Sequence, residues 1–355
     1  MDEKNALEFS QALSALTDLD VPFPPQYLRA FSDLSRHNLR ELTTVWKSLP
    51  ATRKVNLLED LDDLAEHDTL VNFDELAKST LVDEEPAVRV LAIRLLWECE
   101  ETRIVPSLID LFRGDANEDV RAAAASLLGK FVLLGELEAI PDSIRISVVN
   151  NLIDSVDGEE RPLVKQRALE SLGYSSHPLV PTMIRKAFES NEISWITSSL
   201  CAMGRSADES WANLVESKLD SPDVEVQFEA IRAAGELELA TSREKLIDLL
   251  DEEIENDDNR LAAIWALSQI GGEEVKDKLE TLLEKAGDEE EAEWIEKALE
   301  NLEFSSSMDM DMLDLSRDHN EADINFDDSM LGEDDEEDDE DSEDIDDEDD
   351  FDEDE

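Results

Sequence analysis

The chain has few of the residues that metal sites and disulfide-rich folds need. Of its 355 residues, two are cysteine and four are histidine, and aromatic residues make up 5%. Cys99 and Cys201 do not form a disulfide framework, and no histidine has the spacing typical of a transition-metal ligand set. We therefore expect no metal, no cofactor and two reduced, buried thiols.

Basic residues are also scarce, because 31 Lys and Arg stand against 93 Asp and Glu and the net charge is −62. So acidic a protein repels phosphate, which argues against a nucleic-acid partner. The sequence contains no GxxxxGK[ST], GxGxxG or GxSxG motif. It has no run of 18 apolar residues, and its N-terminus resembles no secretion signal, so we expect no membrane association and a cytoplasmic location.

Glycine and proline are sparse, at 11 residues each, and no segment alternates β-branched and polar residues as a strand would. The apolar content of 41% is sufficient for a substantial core. These features predict a fold that is nearly all α-helical.

The stretch DANEDVRAAAASLLG, residues 115–129, recurs in weaker copies along the chain. The copies end at glycines 129, 173, 204, 235 and 271, and an earlier copy has Trp97 in the glycine position. The spacing between these positions, 31 to 44 residues, is typical of a repeat architecture.

Each copy carries the signals of one short helix. Asn117, Asp223 and Asn259 are N-cap residue types twelve positions before the glycine, and prolines 86 and 162 suit a first helical position. The glycine predicts a left-handed helix stop. A small residue, which permits close helix packing, lies five positions before the glycine position in every copy: Ala92, Ala124, Ala168, Ser199, Ala230 and Ala266.

A second helix precedes each copy, as in residues 105–112, 211–219 and 243–250, whose apolar residues fall on one helical face. One such helical hairpin cannot bury its apolar stripe alone, so neighbouring hairpins must stack. The pattern predicts a right-handed α-solenoid of about six helix pairs.

These repeats resemble the HEAT-repeat family, in particular the short repeats of phycobilin lyases. The resemblance covers residues 81–304 and implies a structural polar ladder between adjacent repeats, formed by an acid and, six residues later, a base. The matching pairs are Asp83 with Arg89, Asp115 with Arg121, and Glu159 with Lys165. The later repeats depart from this pattern, having Ile196, Gln227 and Ala263 in place of the base.

The chain divides into three regions by composition. Residues 1–80 are amphipathic but lie outside the repeat pattern, and we interpret them as an N-terminal helical cap. Residues 81–304 form the HEAT-like solenoid. Residues 305–355 carry 28 acids and one base, a net charge of −27, and predict a disordered acidic tail that either aids solubility or binds a partner through apolar clusters at 308–315 and 324–331.

Two groups of residues are candidates for binding. Five bases against one acid lie between residues 161 and 186, and could bind an acidic partner or this chain's own tail: Arg161, Lys165, Arg167, Arg185 and Lys186. Five tryptophans either pack in the core or line a groove for a flat ligand: Trp97, Trp195, Trp211, Trp265 and Trp294.

No set of residues in the sequence suggests catalysis. We therefore expect a non-catalytic scaffold or adaptor that binds another protein through the solenoid surface. The alternatives are a phycobilin-lyase-like or chaperone subunit acting on a partner protein, and an acidic chaperone for a basic protein.

Overall fold

A computed structural model describes residues 2–158, 160–251, 256–287 and 291–304, and within these ranges it contains helices and turns but no β-strand. The chain begins with α1 (Asp2–Thr17), α2 (Arg36–Trp46), α3 (Ala51–His67) and α4 (Asp74–Thr80). It continues with α5 (Pro86–Leu95), α6 (Val105–Gly114), α7 (Glu118–Glu136), α8 (Asp142–Asp157), α9 (Pro162–Leu172) and α10 (Val180–Phe188). Then follow α11 (Ile193–Arg205), α12 (Ala212–Glu216), α13 (Val224–Glu236), α14 (Arg243–Asp251), α15 (Asp257–Ile270) and α16 (Glu273–Leu283). Residues 291–304 are also helical, and short 3-10 helices span Pro25–Phe31, Thr102–Ile104, Glu209–Trp211 and Ala240–Ser242.

The helices pair into hairpins that stack along one direction. Each even-numbered helix from α4 to α14 packs against the odd-numbered helix that follows it. The odd-numbered helices from α3 to α15, which we call the B layer, each pack against the next odd-numbered helix. This arrangement confirms the predicted all-α solenoid of helical hairpins. The predicted acidic tail lies outside the described residues.

Local signals explain where several B-layer helices begin. The Asn117 side chain accepts hydrogen bonds from the amides of Asp119 and Val120 at 2.8 and 3.1 Å, and Asp223 caps α13 in the same way. The helices α5 and α9 begin at their prolines, as predicted. The predicted cap at Asn259 is wrong, because Asn256 caps α15 and Asn259 lies buried inside it.

The repeated glycines, with one exception, do not have the left-handed conformation of a helix stop. Only Gly271 has the left-handed φ, at 67°, that the sequence pattern suggested for these positions. The helix α7 continues through Gly129 to Glu136, and the other glycines lie against the next B-layer helix. A Cβ on Gly173 would stand 2.7 Å from the Ala202 carbonyl oxygen, and one on Gly235 would stand 2.7 Å from the Ala266 Cα. These glycines permit close packing of consecutive repeats.

Small residues form the centre of the B layer, as the sequence predicts. All the residues five positions before the glycine are fully buried: Ala92, Ala124, Ala168, Ser199, Ala230 and Ala266. Larger apolar side chains of the same helices, such as Leu128 and Leu172, are also fully buried. Burial of this apolar surface is the main stabilising contribution to the stack.

The N-terminal residues extend the same stack. The helix α1 packs against the Pro25–Phe31 turn, where the Phe9 and Phe31 rings meet edge to face at 6.0 Å. Arg53 of α3 is buried and donates to the backbone carbonyls of Asp18 and Val21. The helix α3 packs on α5, and α4 pairs with α5, so contacts cross residue 80. The domain boundary at residue 80 stays a prediction.

Candidate functional site

An open cavity of about 650 Å³ lies on the B layer near the C-terminal end of the described stack. Its walls come from α11, α13, α15 and the helical residues 291–304. Apolar and aromatic side chains contribute much of the wall: Val224, Phe228, Leu261, Ala262, Trp265 and Trp294. The volume falls in the range of ordinary small-ligand pockets.

The helical spacing of α13 explains why one helix contributes so much of this wall. Val224, Phe228 and Arg232 lie four residues apart, so their side chains fall on one face of the helix. Glu225 and Glu229 lie beside them on the same stripe. Val224 is 49% exposed and Trp294 41% exposed, so both contribute apolar surface that solvent reaches.

A smaller and more polar cavity of about 230 Å³ adjoins the first. Both are lined by Thr197, Glu225, Glu229 and Arg232, and the smaller one also reaches α9. There the Glu170 carboxylate accepts hydrogen bonds from Arg167 at 2.5 Å and from the Ser198 hydroxyl at 2.7 Å. The two cavities together therefore combine an apolar wall with a charged wall.

The charged wall centres on Arg232. Its guanidinium contacts the Glu229 carboxylate at 3.3 Å and the Glu236 carboxylate at 2.8 Å. Burial raises the pKa of Glu229; Arg232 opposes that shift, whereas the nearby Glu170 and Glu236 add to it. Ionised Glu229 therefore sits in an environment that compensates its charge only in part.

Two buried acceptor atoms of cavity residues have no hydrogen-bond partner among the described residues: Oε2 of Glu229 and Oδ1 of Asn259. The Asn259 side chain is 1% exposed, and its Nδ2 donates to the Val224 carbonyl at 3.3 Å and to Gln227 Oε1 at 2.8 Å. Because the Val224 carbonyl can only accept, the amide is oriented with its oxygen unpaired. Unpaired buried acceptors are costly and uncommon in folded proteins.

The thiols contribute no reactive group to the site. Both cysteines are buried, and burial raises the pKa of Cys99 to about 11 and that of Cys201 to about 12. Within the described ranges, no three His, Cys, Asp or Glu side chains are grouped as metal ligands. The same part of the chain contains no helix long and apolar enough to cross a bilayer.

The predicted ladder residues lie at the joints between hairpins. Arg89 binds Asp115 of the next repeat through two contacts of 2.7 Å and donates to the Asp83 carbonyl at 2.7 Å. Arg121 repeats this geometry, donating to the Asp115 carbonyl at 2.7 Å and to Glu160 Oε1 at 3.0 Å. Each base therefore bridges its own repeat to the next.

The two ends of this series differ from the middle. Lys54 of α3 binds Asp83 at 2.7 Å and extends the series toward the N-terminus, which the sequence pattern did not indicate. Lys165 donates to the Gly158 carbonyl at 2.8 Å. Glu159, its predicted partner, lies outside the described residues. A structural role for the six predicted residues stays a prediction.

The five candidate bases between residues 161 and 186 have different neighbours. Arg161 lies 3.8 Å from Glu118, Arg167 pairs with Glu170 in the smaller cavity, and Arg185 stacks over the Trp211 ring at 5.2 Å. Lys165 bonds the backbone, and Lys186 is exposed on α10. Docking of an acidic partner or of residues 305–355 on these bases stays a prediction.

The candidate tryptophans divide between core and groove. Trp211 is buried and Trp195 is half-buried against the core, whereas Trp265 and Trp294 line the large cavity. Trp97 is 49% exposed and lines a separate small pocket with Arg94. The sequence indicated the aromatic residues but not which of them share a site.

Comparison with known proteins identifies the repeats. A family model for HEAT repeats matches residues 73–173 and 211–300, more than half of the chain. Among curated proteins, no sequence matches this chain.

Three solved structures illustrate the similarity. The complex of CpcE and CpcF of phycocyanin lyase from Nostoc sp. PCC7120 is 20% identical, with a TM-score of 0.45 over 64% of this chain and 94% of that chain. Human deoxyhypusine hydroxylase in complex with glycerol is 16% identical, with a TM-score of 0.32 over 76% of this chain and 97% of that chain. A designed armadillo repeat protein in complex with the peptide (KR)4 is 20% identical, with a TM-score of 0.35 over 56% and 99%.

The family match agrees with the stacked helical hairpins and with the small residues between them. The chain belongs to the HEAT-repeat family.

Proposed function

We propose that the chain is a non-catalytic scaffold that binds another protein through the B layer of its C-terminal hairpins. The observation that supports this is the large open cavity, where Val224 and Trp294 expose apolar surface beside charged groups. Exposed apolar surface rimmed by polar residues is typical of interaction sites. Stacked helical repeats provide extended surfaces of this kind.

The chemistry of the cavity favours binding over catalysis. Its one thiol neighbour, Cys201, has a pKa raised to about 12 by burial, so it is not a nucleophile at neutral pH. Arg232 and Glu229 are within ion-pair distance of each other, and Glu170 is held by Arg167 and Ser198. Such pairing supports a fixed recognition surface.

The proposal is tested by comparing captured proteins between matched variants. We would immobilise full-length protein and expose it to native extract. Two variants of the large cavity, Val224→Ser and Trp294→Ala, which we call the groove variants, would be treated in the same way. Glu244→Gln, on the outer surface, is the control. Both groove side chains are exposed, so their loss should leave the fold intact, which circular dichroism checks. A partner retained by wild type and Glu244→Gln but lost by both groove variants is the expected result. Partners retained by both groove variants would contradict the proposal.

A second candidate function, a lyase-like subunit that holds a flat ligand, is favoured by Trp265 and Trp294 lining one cavity. Aromatic rings stack on flat conjugated molecules, and the volume of about 650 Å³ accommodates one. Titration with a linear tetrapyrrole separates the two candidates. Saturable quenching of tryptophan fluorescence that disappears in Trp294→Ala would support the ligand-holding function, whereas unsaturable or unchanged fluorescence would contradict it.

A further inference from the structure

We propose that the large cavity receives a basic side chain, lysine or arginine, from a partner segment in which apolar residues flank that base. This inference rests on the proposed function and specifies the chemistry of its partner. Three features carry it: the charge around the cavity, the unpaired acceptors of its lining residues, and the aromatic surface beside them.

The charge around the cavity is negative. Three carboxylates and one guanidinium line it within the described residues: Glu225, Glu229, Asp258 and Arg232. Arg232 already contacts Glu229 and Glu236, so its charge is shared between two carboxylates. Glu225 and Asp258 are exposed at the rim. A cation that enters the cavity is therefore attracted by the rim carboxylates of Glu225 and Asp258, which make no ion pair with the described residues.

Two residues of the wall also carry a buried acceptor atom that no donor reaches within the described residues. Oε2 of Glu229 and Oδ1 of Asn259 are buried and have no partner within the described part of the chain. Lysine and arginine carry only donors at their ends, and several of them. A bound ammonium or guanidinium group, after a small side-chain adjustment, would satisfy acceptors that are otherwise unpaired and would hold Glu229 ionised.

The apolar wall suits the rest of such a side chain. Phe228, Leu261 and Trp265 offer surface for the methylene groups of lysine or arginine, which commonly pack on apolar side chains. The Lys297 ammonium lies 5.6 Å from the Trp294 ring centroid, so this ring already makes one cation–π contact within the protein. Apolar residues beside the base would cover Val224 and the remaining exposed part of Trp294.

Charge also argues against two other occupants. Residues 305–355 carry a net charge of −27, so the rim carboxylates repel the acidic segments 308–315 and 324–331. A second copy of this chain carries −62 and would be repelled in the same way.

The test is a selection from a displayed library of short random peptides on full-length protein. Clones that still bind Val224→Ser or Trp294→Ala would be discarded. Because these variants keep residues 305–355, non-specific attraction of basic peptides to the acidic C-terminal residues is subtracted. The remaining peptides would be synthesised and their affinities measured for wild type, Glu229→Gln and Glu244→Gln. Glu244 is an exposed acid on α14, so it controls for the loss of one charge.

We expect the retained peptides to carry lysine or arginine next to apolar residues. Their affinity should fall about tenfold or more in Glu229→Gln and stay unchanged in Glu244→Gln. Glu229→Gln should fold, because the amide keeps the side-chain shape and Arg232 keeps Glu236.

Three results would overturn the inference. Groove-dependent peptides without basic residues would contradict a cationic partner. Equal peptide affinity for wild type and Glu229→Gln would contradict it too. Either result would leave the proposed scaffold function in place. Acidic, methionine-rich peptides resembling residues 308–315, or a dimer in sedimentation that Trp294→Ala abolishes, would identify the tail or a second copy as the occupant. No groove-dependent peptide at all would remove both proposals.

Discussion

Replacement of Arg89 by alanine tests whether ion pairs between repeats stabilise the stack. Arg89 of α5 makes two contacts of 2.7 Å with Asp115, and the two side chains are only 12% and 7% exposed. Arg89→Ala leaves the Asp115 carboxylate nearly buried without its counter-ion. Burial opposes ionisation of Asp115, but hydrogen bonds from Arg89 and the Asn117 amide outweigh it and hold its pKa below the usual value.

The magnitude follows from what Asp115 loses and what it keeps. Breaking a fully buried ion pair costs about 3 to 5 kcal/mol. Asp115 keeps the hydrogen bond from the Asn117 amide at 2.9 Å and a little contact with solvent. We therefore expect Arg89→Ala to lower the free energy of unfolding by about 2 to 4 kcal/mol.

Urea unfolding followed by circular dichroism measures this change. Arg103→Ala is the matched control, because Arg103 is exposed in the adjoining hairpin and should change stability by less than about 0.5 kcal/mol. The double variant Arg89→Met with Asp115→Leu should recover most of the loss, since it leaves no buried charge unpaired. Equal stability of Arg89→Ala and Arg103→Ala would refute the argument that this pair links the repeats.

Three further predictions concern packing, pH and the C-terminal residues. Gly173→Ala should destabilise by about 1 to 3 kcal/mol, because its Cβ would meet the Ala202 backbone, whereas Gly114→Ala, with nothing within 4 Å, should be neutral or stabilising in the same urea experiment. The folded-state pKa of Asp115 is lowered, so the stabilisation from its ionised form is present above the unfolded pKa of about 3.9 and is lost as pH falls. The difference in unfolding free energy between wild type and Asp115→Asn should therefore shrink below that pH. A constant difference down to the lowest pH would contradict this. If residues 305–355 dock on the bases between 161 and 186, their deletion should increase amide exchange there at low salt but not at high salt; unchanged exchange in both conditions would leave no docking.

Much of the fold could be predicted because its signals are local. Asn117 and Asp223 cap their helices through side-chain contacts within three residues, and the prolines at 86 and 162 begin theirs. The errors arose where a distant neighbour decided the outcome. Gly173 follows the last residue of α9 and has a φ of −50°, so it is not in the left-handed conformation. Its lack of a side chain leaves room for the backbone of the adjacent Ala202.

The site was harder to predict because it depends on three B-layer helices that are about 30 residues apart in sequence. The sequence indicates the tryptophans as candidates for a groove, but only the stacked structure shows that Trp265 and Trp294 share a cavity with Glu229. A local signal was present in α13, where Val224, Phe228 and Arg232 form one stripe.

The joints between hairpins include both ion pairs and contacts between side-chain amides. Ion pairs link the repeats from Lys54–Asp83 through Arg89–Asp115 to Arg121–Glu160. Farther along, an amide contact from Asn259 to Gln227 at 2.8 Å links α13 and α15, and an ion pair between Arg260 and Glu291 at 2.7 Å links α15 to residues 291–304.

The two kinds of joint differ in what they leave unpaired. The amide joint leaves the buried Oδ1 of Asn259, a residue that lines the cavity, without a partner within the described residues, whereas the Arg89–Asp115 joint satisfies both carboxylate oxygens. The charged groups of α13 face the cavity, where Glu229 and Arg232 line its wall. In a stack where each repeat contacts mainly its neighbours, stability and recognition can occupy different hairpins.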